Sequence, residues 1–418
     1  MFYKNYNYNS PLIKELSQIS QNAEKDYALI RDFPIRFYDG DFIETVLFLC
    51  KNLTPSAKVV IFSTATSFSV FGEELNVRLN GQRNKTLNFI IDENQNVDLS
   101  LAKNLINFSD DVRAIIVSDL KLVKLAEYVC SIKNIPLILR LDKMLDDGVL
   151  NNRIHVYNGE AVDYVRVSVQ RHIVIDLESI QKSDNRASCY AQIMSRAVSL
   201  LDYRIKTCFK DFVADRFAYE LVKQTVLDIF NVFKYSYTKQ AEVLVCGLLR
   251  IEFANILTSG ELDDFSAIKG ACYLYGSTQL TMDGIGVLLG LYELGYSDKY
   301  DKSLNVVDYN QIALDIKDKG YFGETEILKS LLKRSKNFAK YKKDLSTISN
   351  LLISEIQGLK QSFNKMEKTY YALGGKALSE TEKTSKQFFF AIKHCGDLPF
   401  GFNGMSLLSE KGITETIN

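Results

Sequence analysis

A chain of 418 residues is longer than one hydrophobic core usually organises, so two domains are expected. Hydrophobic residues make up 46% and charged residues 24%, ordinary values for a packed protein that exclude a mostly disordered chain. Lys and Arg number 51, as do Asp and Glu. With zero formal net charge, no global field draws the chain to nucleic acid or to an anionic membrane, and self-association is permitted.

The opening residues MFYKNYNYNSPLIKEL contain no apolar run of the kind that begins a signal peptide. The longest apolar candidate, Val243 to Leu257, is interrupted by Arg250 and Glu252, so no membrane-spanning helix is expected. Along the first half, short β-branched runs alternate with segments of helical spacing. Lys58 to Phe62 reads as a strand, Phe68 to Leu79 as a helix, and Thr86 to Asp92 as a strand. Leu99 to Phe108 reads as a helix, Val112 to Val117 as a strand, Leu120 to Ser131 as a helix and Ile135 to Leu139 as a strand. Continuous apolar strands separated by helices predict a parallel, doubly wound sheet with helices on both faces.

Next come two alternating runs, Arg153 to Tyr157 and Glu160 to Val169, joined through Asn158-Gly159. Both joining residues tolerate positive φ, so a β-hairpin is expected, followed by one more strand at Ile173 to Asp176. Beyond Ser188 strand signals vanish and helical patterns take over: Tyr190 to Lys206, Asp211 to Phe233, Lys239 to Leu257, Asp264 to Leu274 and Gly284 to Leu294. The reading is an α/β Rossmann-like domain over 1–180 and an all-α domain over 181–418.

Few motifs carry chemistry. Asp283-Gly284-Ile-Gly286-Val-Leu-Leu-Gly290 has phosphate-loop flavour, but its spacing is GxGxxxG inside an apolar helical stretch, which reads as close helix packing. Lys329 to Lys343 carries seven cations, Arg334 among them, with Phe338 and Tyr341 interleaved; this reads as a solvated helix face with two inward aromatics. Three histidines, His155, His172 and His394, form no i, i+4 pair and have no carboxylate at ligand spacing, so each reads as structural. Seven cysteines form no CxxC pair and read as buried free thiols in a reducing cytoplasm.

Taken in order, these pieces resemble the glycerol-1-phosphate dehydrogenase branch of the iron-containing alcohol dehydrogenase superfamily, which includes dehydroquinate synthase. The resemblance runs from about Pro34 to Thr414. It is carried by AKVVIFSTATSFSVFGEEL (57–75), by DVRAIIVSDLKLVKLAEYVCSIKNIPLIL (111–139), by MLDDG (144–148), by HIVIDLESI (172–180) and by the tail FFFAIKHCGDLPFGFNGMSLLSEKG (388–412). It implies a Rossmann-like nucleotide domain, a helical domain, and an active site in the cleft between them.

The resemblance also locates departures. Where the family turns from strand to helix through a glycine-rich loop that cradles the cofactor pyrophosphate, this chain has Ser118-Asp119-Leu120-Lys121. No glycine is present, and Asp119 sets a negative charge beside a negative ligand. Ser118, Lys121 and Lys124 are the residues left for NAD(P). The family's metal ligands, one Asp and two His, align with Gln192, Asp263 and Tyr275, a set unsuited to zinc. Asp147 is the one family-like polar residue at the cleft, and Tyr275 or Lys143 would have to supply a proton.

The implied function is a catalytically degenerate homologue retained as a structural, regulatory or partner-binding cytoplasmic protein, self-associating or bound to a protein partner. Such a protein holds at most a small phosphorylated ligand, and neither nucleic acid nor membrane. The alternative is an active NAD(P)-dependent oxidoreductase that reduces a small phosphorylated or hydroxy ketone.

Overall fold

The apolar runs of the first half assemble into one sheet of six parallel strands: β1 (Ile35–Asp39), β2 (Lys58–Thr64), β3 (Lys85–Ile91), β4 (Val112–Val117), β5 (Leu137–Leu141) and, after a separate hairpin of β6 (Arg153–Asn158) and β7 (Ala161–Arg166), β8 (Arg171–Ile175). The order across the sheet is β1-β8-β5-β4-β2-β3. This is a computed structural model, and it describes residues 10–107, 111–144, 149–150, 153–158, 161–183, 185–207, 212–260, 262, 266–296, 307–318, 324–398, 403–410 and 414. Two compact units are present: Met1–Asp184 together with Tyr237–Leu249, and Asn185–Ser236 together with Arg250–Asn418.

Alternation along each strand divides the first unit's core into two layers. One face carries Tyr38, Val59, Ile61, Ala114, Ile116, Ile138 and Val174, packed against Val46, Leu49 and Cys50 of the helix Phe42–Leu53 and Leu75 and Leu79 of the helix Glu73–Gly81. Val60, Phe62, Ile115, Val117, Leu139 and Ile173 lie on the opposite side of the same strands and are equally buried. The helix Pro11–Asp26 is fastened to β1 through hydroxyls, with Ser17 Oγ donating to the Phe37 carbonyl at 3.0 Å and Ser20 Oγ to the Ile35 carbonyl at 2.6 Å.

The structure differs from the sequence expectation in three places. The helix Pro11–Asp26, strand β1 and the helix Phe42–Leu53 precede the first predicted strand. The segment predicted as one helix over Phe68 to Leu79 contains a π-helical turn at Phe68–Gly72, where a Cβ on Gly72 would lie 2.8 Å from Cε2 of Phe68. The segment from Leu120 begins as a 3-10 turn before the helix Val123–Lys133.

Among the described residues, helices build the second unit. They include Arg186–Lys206, Arg216–Ile229, Ala267–Tyr275, Leu280–Tyr296, Tyr309–Lys317, the 49-residue Glu324–Ala372, Lys386–His394 and Gly404–Glu410. The Gly284 and Gly286 pair acts as helix-packing glycines: a Cβ on Gly284 would meet Ile268 Cδ1 at 2.9 Å, and one on Gly286 would meet Phe363 Cζ at 2.9 Å, whereas Gly290 has open space. Arg334 departs from the expected solvated face. Its side chain is 7% exposed, and Lys329, Lys333 and Lys336 of the same stretch point outward. The side chains of Phe338 and Tyr341 lie outside the described residues. Among the described residues no helix is long and apolar enough to cross a membrane.

Candidate functional site

In an open parallel sheet, ligands bind beyond the carboxyl ends of the strands, at the point where the winding reverses. Here the chain leaves β2 for β3 on one side and then crosses back to β4 on the other, so the crevice lies between the ends of β2 and β4. Thr64 ends β2 and is buried; Ser118 and Asp119 follow β4.

The groups that would grip an anion there are already engaged. Glu93, on the turn after β3, accepts from the Thr66 backbone N–H through Oε1 at 3.0 Å. That bond, together with the Thr66 hydroxyl, holds its carboxyl below the usual range. Asp119 Oδ1 accepts from the Lys121 backbone N–H at 3.0 Å, and its Oδ2 accepts from Thr64 Oγ1 at 3.1 Å. Lys121 Nζ donates to the Glu93 carbonyl at 2.5 Å. Lys124 Nζ lies 3.6 Å from the buried Glu127 carboxylate, which also pairs with Arg171 at 2.8 Å. Both lysines expected to hold phosphate therefore face acceptors of the chain itself.

The electrostatics extend across the whole edge. Five of the six strands end at or just before an aspartate: Asp39, Asp92, Asp119, Asp142 and Asp176. Arg140, at the end of β5, binds two of them, with Nη2 2.6 Å from Asp176 Oδ2 and Nη1 2.9 Å from Asp142 Oδ2. Its guanidinium lies 4.1 Å from the centroid of the Phe71 ring, which the π-helical turn presents. Burial raises the Asp142 carboxyl against the pull of Arg140 and Lys143. At Asp176 burial is outweighed by the Ser179 N–H and Arg140, so that carboxyl is lowered. Lys143 is exposed on the loop after β5, and Asp147 lies outside the described residues. An edge so lined with carboxylates, and without a glycine turn, does not fit a dinucleotide pyrophosphate held in the glycine-loop manner.

His172 sits inside the sheet. It is fully buried on β8, with Nδ1 3.0 Å from the Tyr38 hydroxyl and Nε2 2.9 Å from Gln170 Nε2. With the Gln170 amide donating, Nε2 is the acceptor and Nδ1 carries the proton. Burial first, and then the Arg36 charge, push its pKa down to about 3. The side chain of His155 lies outside the described residues.

In the second unit, two of the positions onto which the resemblance carries metal ligands, Gln192 and Tyr275, lie among the described residues. Gln192 is 8% exposed on the helix Arg186–Lys206, and one turn on along the same face stands the buried Arg196, a cation. Tyr275 ends the helix Ala267–Tyr275 and packs edge-on to Phe388, 6.4 Å between centroids. Burial, then the Glu382 and Asp283 carboxylates, raise its phenol, which makes it a weaker proton donor. Asp263 lies outside the described residues. Among the described residues no group of three or more His, Cys, Asp or Glu is arranged to hold a metal ion.

Two buried polar clusters in this unit escaped the sequence reading. Asp202, 1% exposed, accepts from the Tyr292 hydroxyl at 2.6 Å, the Ala267 N–H at 2.8 Å and the Gly404 N–H at 2.8 Å, fastening three further helices to its own. Burial raises its carboxyl despite these bonds. Arg334 pairs with Asp397 at 3.0 Å and with Glu410 at 2.7 Å, and His394 Nδ1 lies 3.1 Å from Asp397 Oδ2. His394 thus has a carboxylate partner three residues on, which the sequence reading did not allow it. Burial opposes ionisation of Asp397, but Arg334, His394 and Ser409 outweigh it and lower its carboxyl. The signal available in the sequence was a polar stripe at helical spacing, Ser195, Ser199, Asp202 and Lys206, within an otherwise apolar helix.

This arrangement of sheet and helices is shared with solved structures. Maleylacetate reductase from Rhizobium sp. strain MTP-10005 superposes with a TM-score of 0.53 at 10% identity, over 92% of this chain and 96% of that one. An iron-containing alcohol dehydrogenase from Thermococcus thioreducens gives 0.51 at 10% identity, over 92% and 98%, and NADH-dependent butanol dehydrogenase A from Thermotoga maritima gives 0.50 at 12%, over 92% of each. The fold is that of the iron-containing alcohol dehydrogenases. At these identities the likeness concerns fold alone. No protein-family model and no curated protein matches the sequence.

Proposed function

We propose that this chain is a catalytically degenerate homologue of the iron-containing alcohol dehydrogenases, descended from the glycerol-1-phosphate dehydrogenase branch. In this reading it acts in the cytoplasm as a structural or regulatory protein, through self-association or a protein partner. The observation that carries the reading is the switch-point crevice, where Glu93 and Asp119 already occupy the backbone N–H groups of Thr66 and Lys121. A pyrophosphate arriving there would have to displace two carboxylates and lie among several more. The second support is chemical: Gln192 beside Arg196 offers a divalent metal an amide oxygen and a repelling cation, so nothing at that position would polarise a ketone or stabilise the alkoxide of hydride transfer.

Calorimetric and fluorescence titration with NADH and NADPH tests the reading. The expected outcome is no saturable binding at millimolar nucleotide. Tight binding of either, or stoichiometric zinc or iron in the purified protein, overturns it in favour of an active oxidoreductase.

A further inference from the structure

Strand β3 lies at the margin of the sheet. It pairs with β2 from Lys85 to Ile91 without a bulge, and among the described residues no strand lies on its other side. Lys85 N–H donates to the Ala57 carbonyl at 3.2 Å, which fixes the phase of the ladder. In a parallel pair alternate residues serve one neighbour, so Lys85, Leu87, Phe89 and Ile91 bond to β2 while Thr86, Asn88 and Ile90 turn N–H and C=O outward. Asn80 Oδ1 accepts from the Thr86 N–H at 3.4 Å. The outward groups of Asn88 and Ile90 have no partner among the described residues. Folded chains blunt such an edge with prolines, bulges or charges. Between Thr86 and Ile91 this strand has none of the three, and Ile90 is 45% exposed. Val77 adds a second exposed aliphatic, on the helix Glu73–Gly81 whose Asn76 and Asn80 bond the Thr86 side chain.

The charges along this edge name its occupant. The strand begins basic, with Arg83 and Lys85, and is followed by the acidic Asp92 and Glu93. A second copy running antiparallel sets each basic end against the other's acidic end, twice about one two-fold axis. We propose that β3 is a dimerisation edge, at which two copies of this chain pair antiparallel and their sheets become continuous. One register satisfies both hydrogen bonding and charge. With Phe89 on the axis, Asn88 of each copy faces Ile90 of the other and the two exchange N–H···O bonds, while Lys85 falls opposite Glu93. Thr86 keeps its bond to Asn80. A register centred on Asn88 would instead pair Thr86 with Ile90 and call on the N–H that Asn80 already holds. This edge gives the self-association proposed above a surface, and it rests on that reading.

Sedimentation equilibrium of the full-length chain and of the variants Asn88→Pro and Ile90→Lys tests this. Neither substitution touches a bond to β2: the first deletes an outward N–H, and the second charges an exposed side chain. The native chain is expected to be a dimer. Each variant should raise the dimer dissociation constant at least about tenfold, with the circular dichroism spectrum unchanged. A native chain that stays monomeric at its highest soluble concentration overturns the edge together with self-association. A native dimer that persists undiminished in folded Ile90→Lys overturns the edge alone and leaves self-association to another surface. The double variant Asn88→Cys/Ile90→Cys reads the register independently, because a hydrogen-bonded antiparallel pair brings Cα atoms to about 5.5 Å, within disulfide reach. Mild oxidation should give a covalent dimer absent from the native control; a double variant that stays uncrosslinked overturns the pairing.

Discussion

Two buried side chains show how single residues set the terms of stability. His172 is held neutral inside the sheet, with its pKa near 3 against an ordinary value of 6.5. Below pH 6.5 the unfolded chain binds a proton that the folded one refuses, so stability falls as the pH falls from 6.5 toward 3. At pH 5 the unfolded value is already passed and the folded one is not, and this residue alone should cost roughly 2 kcal/mol relative to neutral pH. Urea denaturation of the native chain and of His172→Gln at pH 7.5 and 5.0 should show a smaller loss in the variant. Asp202 acts in the opposite sense, as a hub of acceptors only. Because all three of its partners donate, an amide there would turn its own N–H₂ toward a donor, and Asp202→Asn should destabilise nearly as much as Asp202→Ala, by roughly 3 kcal/mol. An Asn variant as stable as the native chain in equilibrium unfolding would contradict this.

At the scale of elements, the glycines of the helix Leu280–Tyr296 separate packing from propensity. Gly286→Val should cost roughly 1–3 kcal/mol, because its side chain would enter the space of Phe363, whereas Gly290→Ala, in open space, should stabilise by roughly 0.5–1 kcal/mol. Thermal unfolding of both variants checks the contrast. The strands were legible because β2, β4, β5 and β8 are apolar on both faces, and that pattern alone implies helices on either side. The π-helical turn was not: what accompanies it is a tertiary contact, Phe71 against the guanidinium of Arg140, a strand residue far along the chain. Gln192 falls within a predicted helix and Tyr275 one residue beyond another, yet the neighbours that decide their chemistry, Arg196 and Phe388, emerge only from helix phase and packing. The aspartates at the strand ends could have been seen, because an apolar run closed by Asp recurs at Asp92, Asp119, Asp142 and Asp176. Their joint effect depends on the strands lying parallel, which brings those ends to one edge of the sheet.

For the whole molecule, the division into units does not follow the order of the chain. Tyr237–Leu249 belongs to the first unit although Asn185–Ser236 of the second precedes it, and within it Ala241, Leu244, Val245, Cys246, Leu248 and Leu249 are buried. Each large aliphatic among them is worth roughly 1.5–3 kcal/mol when removed from water. A fragment spanning 1–184 should therefore be less stable than the same fragment joined by a flexible linker to 237–249, as read by circular dichroism and denaturant midpoint; equal midpoints would refute it. The same discontinuity bears on synthesis. A nascent chain emerging from the ribosome at several residues per second must translate some fifty further residues after residue 184 before the segment Tyr237–Leu249 can complete the first unit, so that unit is finished late relative to its own strands.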